Sequence, residues 1–225
     1  MDDQTNYLIL ALGVIGGLIF YGRFLVQWIV SEIQKQSVMP VAFWYMSAVG
    51  SVMLLVYGIL SQSLLGTLGQ NINVVIYGRN IAHIWRERET LTPGVSRLLH
   101  ATMGIIACIG LIAVASLVIR EWNLQAEKPV SDSQVAWAWL FVGLIGQALF
   151  ALRFILQWFV TERAKRSIVP NAFWFISFFA ALFQCAAFIQ REEWIFAAGM
   201  ILTVFIYGRN IWFIYKGPPA TPEAE

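Results

Sequence analysis

The chain has 225 residues, of which 59% are hydrophobic and only 12% charged, with a formal net charge of +2. A soluble domain carries about 25% charged residues, so this composition excludes an ordinary water-soluble globule. The near balance of charge also gives no basis for nucleic-acid binding.

Seven apolar stretches have roughly the 20 residues a helix needs to cross a bilayer. They predict transmembrane helices over 7–31, 40–60, 64–85, 98–119, 136–161, 170–190 and 194–215. The first is not expected to be a cleaved signal. It opens with Asp2 and Asp3 instead of a basic segment, and its counterpart recurs at 136–161. Pro40 and Pro170 each follow a short polar loop, where a missing N–H costs nothing, and mark helix starts. Glycines at 13, 16, 17, 143 and 146 suit close helix approach on the first helix of each half. Cys108 and Cys185 fall inside predicted helices without CxxC spacing, which predicts neither a disulfide nor a metal site. The stretch 121–134, around Pro129, reads as a short external loop, and the tail from Gly217 carries three prolines that cannot continue a helix.

Residues 21–85 match residues 151–215 at a constant offset of 130 with no gap. The shared residues are polar as well as apolar: Arg23/Arg153, Gln27/Gln157, Trp28/Trp158, Glu32/Glu162, Trp44/Trp174, Ser47/Ser177, and Tyr77-Gly78-Arg79-Asn80 against Tyr207-Gly208-Arg209-Asn210. Each copy holds three helices, and the fourth helix has no counterpart. Three is odd, so one added helix restores the orientation of the second copy. The expected fold class is therefore all-α: a polytopic membrane protein of seven helices in which two parallel three-helix bundles flank a linker helix. The boundaries are 1–88 for the first repeat, 89–130 for the linker with the fourth helix, 131–216 for the second repeat and 217–225 for the tail.

Lys35, Arg86, Arg88, Arg97, Arg163, Lys165, Arg166 and Lys216 lie on one predicted face, and Arg120, Lys128 and Arg191 on the other. The positive-inside rule then places the C-terminus in the cytoplasm and the N-terminus outside. Arg23, Arg79, Arg153 and Arg209 remain within the helices. An arginine near mid-bilayer costs about 2.5–3.5 kcal/mol on insertion scales, which makes function its default explanation. Two alternatives stay open. The guanidinium groups can snorkel to the headgroups, or they can face the interior with Glu32 and Glu162 as charge partners. In the second case four arginines against two glutamates leave two positive charges for an anion, and the arginine fork suits phosphate. Gln27, Gln157, Asn80 and Asn210 would add neutral hydrogen bonds. Trp28, Trp44, Ser47, Tyr77 and their copies Trp158, Trp174, Ser177 and Tyr207 could line the same cavity.

These patterns resemble a known family. The copies read R-F-L-V-Q-W-I-V-S-E, P-V-A-F-W-Y-M-S and Y-G-R-N-I, then R-F-I-L-Q-W-F-V-T-E, P-N-A-F-W-F-I-S and Y-G-R-N-I. They are similar to the lipid A biosynthesis N-terminal domain, in tandem, and the 3+1+3 plan resembles SWEET, SemiSWEET and PQ-loop transporters. The resemblance implies a bacterial inner-membrane carrier or flippase for a phosphate-bearing lipid, a lipid A precursor or a polyprenyl-phosphate-linked sugar. The alternative it implies is a lipid-binding accessory of a glycosyltransferase, or a direct part in lipid A disaccharide synthesis. No HExxH, GxSxG, P-loop or paired intramembrane carboxylate is present, so no catalytic residue, metal or cofactor is expected.

Overall fold

The computed structural model describes residues 3–34, 40–164 and 170–216. Every regular element among them is an α-helix: α1 Asp3–Gln34, α2 Val41–Leu60, α3 Leu64–Glu87, α4 Pro93–Ala126, α5 Val130–Ala164, α6 Asn171–Gln190 and α7 Trp194–Lys216. This is an all-α polytopic membrane protein. The helices run beyond the apolar stretches because backbone hydrogen bonding continues past the hydrocarbon boundary. Pro40 and Pro170 sit at the cap position in extended backbone, and their carbonyls accept from Phe43 and Phe173 N–H. The expected loop 121–134 is largely helical instead. Only 127–129 separate α4 from α5, and a buried Gln125 side chain donates to Glu121 one turn back at 2.9 Å.

Among the described residues six helices are long and apolar enough to cross a membrane, and α3 is the exception. It carries Gln70, Asn71, Asn73, Arg79, Asn80 and His83. Thr67, Gln70 and Asn71 are buried, so part of its polarity points into the protein rather than toward lipid. The hairpins α2–α3 and α6–α7 turn identically. Gln62 and Glu192, 130 residues apart, adopt left-handed backbone at φ 59° and 58°. The following N–H closes back five residues, Ser63 to Gly58 and Glu193 to Phe188.

The chain divides into two compact units, 1–134 and 135–225. In the first, α1 packs on α2, α2 on α3 and α3 on α4. The α1–α2 contact is close because Gly50 lies against the backbone of Phe20. Helix α4 touches α3 where Met103 covers Gly78 and where Gly110 leaves room for Asn71. Its other face presents Ile105, Ile109, Ile112 and Ile119 outward, as a lipid-facing helix does.

In the second unit α6 packs on α7, and Phe188 stacks on Phe196 at 5.1 Å. Gly146 makes against α6 the close contact that its counterpart Gly16 makes against α2. Here Gln184 replaces the equivalent Leu54. Its amide donates to the Gly143 carbonyl at 3.1 Å and to the Gln147 side chain, joining α5 to α6. Interhelical polar pairs in membranes average about 0.6 kcal/mol and reach about 2. Gln184→Ala should therefore lower the unfolding temperature in detergent by a few degrees, whereas the equivalent Leu54→Ala should act only by opening a cavity.

Candidate functional site

The four helix arginines do not share one environment. Arg23 on α1 is 5% exposed, and Arg153 on α5 is half-buried. Arg79 and Arg209 are both exposed on α3 and α7. Neither unit gathers two arginines into its interior, which corrects the expectation of a four-arginine cluster with two spare charges. The reason is helical phase. Tyr77 and Tyr207 take the inward face of α3 and α7 and are 5% exposed. Two positions further on, Arg79 and Arg209 must point roughly 200° away at 3.6 residues per turn.

Arg23 sits in an aromatic cage. Its guanidinium carbon lies 3.7 Å from the Phe20 ring centre, 4.9 Å from Phe24, 5.2 Å from Phe43 and 5.1 Å from Tyr77. Three helices build this cage, and Phe20 owes its place one turn before Arg23 to the α1 periodicity. The guanidinium Nε and Nη1 are buried and have no hydrogen-bond acceptor. Cation–π contacts of about 0.5–2 kcal/mol each hold the charge. They do not satisfy the N–H groups, and each unmet donor costs about 1–3 kcal/mol.

The second unit repeats the cage, again leaves the arginine Nε buried without an acceptor, and differs at Nη1. Arg153 lies 4.5 Å from the Phe150 ring centre, 5.4 Å from Phe173 and 5.6 Å from Tyr207. Its Nη1 donates to Ser177 Oγ at 3.2 Å and to Tyr207 Oη at 2.5 Å. In both copies the serine hydroxyl also donates to a carbonyl one turn back, Ser47 to Phe43 and Ser177 to Phe173, at 2.6 Å.

The other expected site residues scatter. Trp44 and Trp174 lie 6.4 and 6.2 Å from Tyr77 and Tyr207, at the edge of each cage. Trp28 is 50% exposed and lines no interior. Glu32 is exposed and Gln27 half-buried. The side chains of Gln157, Trp158 and Glu162 lie outside the described residues. Asn80 and Asn210 turn their amides back to the Ile76 and Ile206 carbonyls at 2.8 Å, so those donors serve the helix. Sequence reading gave no site role to Phe20, Phe24 or Phe43, although Phe20/Phe150, Phe24/Phe154 and Phe43/Phe173 are all kept at the repeat offset. It also passed over Tyr21 and the buried acid Glu121. Cys108 and Cys185 are free thiols, and among the described residues no three His, Cys, Asp or Glu side chains gather to hold a metal.

A model of the Lipid A Biosynthesis N-terminal domain matches twice, at residues 12–82 and 142–212, together more than half of the chain. The chain belongs to this family. Each matched segment holds the cage residues named above, from Phe20 to Tyr77 and from Phe150 to Tyr207, and α4 falls between the two segments in the sequence. Curated relatives include proteins named lipid-A-disaccharide synthase from Chlamydia felis, 26% identical over 93% of this chain and 34% of theirs, and from Chlamydia pneumoniae, 26% identical over 96% and 35%. A third, from Chlamydia trachomatis serovar D, is 27% identical over 89% and 32%. The chain thus spans about a third of the length of these relatives. No solved structure matches it.

Proposed function

We propose that this tandem domain protein binds a phosphate-bearing lipid of lipid A biosynthesis in the bacterial inner membrane and carries it between leaflets. In this reading its N-terminus is outside and its C-terminus in the cytoplasm. The observation that carries the binding step is Arg23, a buried cation with two unmet N–H donors. A charge kept in that state inside a membrane helix is hard to explain by packing, because a hydrophobic side chain of the same volume would cost less. A bound anion supplies both the charge and the acceptors. The family name and the relatives' printed names point to lipid A chemistry, and the absence of a catalytic constellation in the sequence favours binding over catalysis.

A second reading rests on a separate observation. The relatives named as synthases carry this sequence as about a third of a longer chain. On that reading the tandem domain holds lipid for a glycosyltransferase, either a separate partner or a segment of the same chain. Two measurements separate the readings. Native mass spectrometry of the purified protein should show a co-purified phospholipid or lipid A precursor. Proteoliposomes should then move a fluorescent phospholipid between leaflets if the protein is a carrier. Retained lipid without movement would leave only the holding role, and a lipid-free protein would end both.

A further inference from the structure

A cleft of about 380 Å³ opens between the early turns of α1 and the turn that joins α2 to α3, a volume in the range of small-molecule sites. Asn6, on its rim, precedes Arg23 by 17 residues, or about 26 Å of helix, so the cleft stands near the opposite membrane surface from the cage. One wall is the Tyr57 ring. It rests on α1 at Gly13, where an added Cβ would stand 2.6 Å from a ring carbon. Asn6, Ser61 and Gln62 bring two amides and a hydroxyl to the cleft, Leu10 and Leu60 bring apolar surface, and no lining residue is charged. The apolar side continues inward, because Val14 and Val56 stand one turn deeper on α1 and α2 and are exposed like Leu10 and Leu60. The second unit does not repeat this chemistry. Ala136 stands at the position of Asn6, Ala187 at that of Tyr57, and Arg191 and Glu192 at those of Ser61 and Gln62. Arg191 pairs with Glu193 at 3.1 Å, and Leu140 is 4% exposed where Leu10 is 49%.

We propose that this cleft binds the uncharged, hydroxyl-bearing headgroup of a membrane glycolipid, with the lipid chains in the furrow between α1 and α2. Each amide and each hydroxyl offers both a donor and an acceptor. Sugar hydroxyls do the same, so they pair with Asn6, Ser61 and Gln62 in either sense. The C–H face of a sugar ring matches the apolar wall that Tyr57 provides. An anionic headgroup would find no cation among the lining residues, and the amides would gain nothing from a bare hydrocarbon chain. The furrow decides between a lipid and a free sugar. Leu10, Val14, Val56 and Leu60 line a path along which the chains stay in hydrocarbon while the headgroup occupies the cleft. The site stands apart from the Arg23 cage in both place and charge, and it does not depend on the anionic-lipid reading.

The test uses the full chain in a polyoxyethylene detergent, which carries no sugar, with binding read by native mass spectrometry. Monogalactosyl diacylglycerol should bind about tenfold more tightly than dioleoylglycerol, which lacks the sugar, and than methyl galactoside, which lacks the chains. Asn6→Ala combined with Gln62→Gly removes both amides from exposed positions. Glycine is the choice at 62 because Gln62 holds left-handed backbone at φ 59°. This double variant should keep its unfolding midpoint and weaken the galactolipid about tenfold, the span of two net hydrogen bonds. Arg23→Gln should leave galactolipid binding within about twofold, whatever it does to phosphatidylglycerol, so the two sites fail separately. Dioleoylglycerol or methyl galactoside binding as tightly as the galactolipid would overturn the assignment. So would a silent double variant, or a loss in Arg23→Gln as large as the loss in the double variant.

Discussion

Replacing Arg23 by methionine should make the protein more stable and stop it binding anionic lipid. The two effects have the same cause. The guanidinium is 5% exposed and leaves Nε and Nη1 without acceptors. Each unmet donor costs about 1–3 kcal/mol. Against this stand contacts with four rings, the nearest at 3.7 Å. A methionine would keep much of that contact, because its flexible thioether packs well against aromatic edges. Removing buried charge in favour of apolar packing commonly gains about 1–4 kcal/mol. At about 2–4 °C per kcal/mol for a chain of this size, the unfolding midpoint should rise by several degrees. The same variant should lose at least nine-tenths of its anionic-lipid binding. Arg79→Gln and Arg209→Gln, on exposed side chains, should keep binding within about twofold. A lower midpoint for Arg23→Met would instead make the cage a structural device, with the cation as its keystone.

How much of this could be read from the sequence depends on which physical signal each feature leaves there. Helix number and placement were legible because hydrocarbon thickness imposes a length and the repeat supplies a second reading of each boundary. The α4–α5 connection was not legible. Glu121, Gln125 and the charges around Pro129 look like a polar loop, yet Glu121 and Gln125 lie one turn apart and sustain the helix. Arg23 and Arg153 stand out in the sequence through their preservation in both copies and their cost in a membrane. The sorting of the four arginines was not legible, because an arginine two positions after an inward tyrosine shows its direction only through helical phase. The cage was missed for another reason. Phenylalanine inside an apolar helix is indistinguishable from ordinary lipid-facing residues until three helices bring Phe20, Phe43 and Tyr77 around one cation. The difference between Arg23 and Arg153 was still less visible, since Ser47 and Ser177, and Tyr77 and Tyr207, are identical pairs whose geometry alone separates them.

Gly50→Leu should abolish recovery of folded protein, and the contrast with Gly78 explains why. A Cβ at Gly50 would stand 2.8 Å from the Phe20 N, Cα and Cβ atoms. Those are backbone and first side-chain atoms of α1, which cannot rotate away, so α1 must shift bodily from α2. That shift would carry off Phe20, the ring nearest Arg23, and loosen the cage together with the helix pair. At Gly78 an added Cβ would meet Sδ, Cε and Cγ of Met103, side-chain atoms with no backbone among them. Gly78→Ala should therefore change the unfolding temperature little, while Gly50→Ala should lower it clearly, since overpacking against fixed atoms costs about 1–3 kcal/mol. The second unit has Ala180 at the position of Gly50, while the glycine contact of Gly146 with α6 is shared by Gly16 with α2. Combining Gly50→Ala with Phe20→Gly would not rescue the protein, because the cage would lose its closest ring. Lipid binding should therefore fall in Gly50→Ala along with stability, and stay intact in Gly78→Ala. Equal thermal shifts in the two variants would mean that the α1–α2 contact has slack, and that Phe20 is held by something other than the close approach at Gly50.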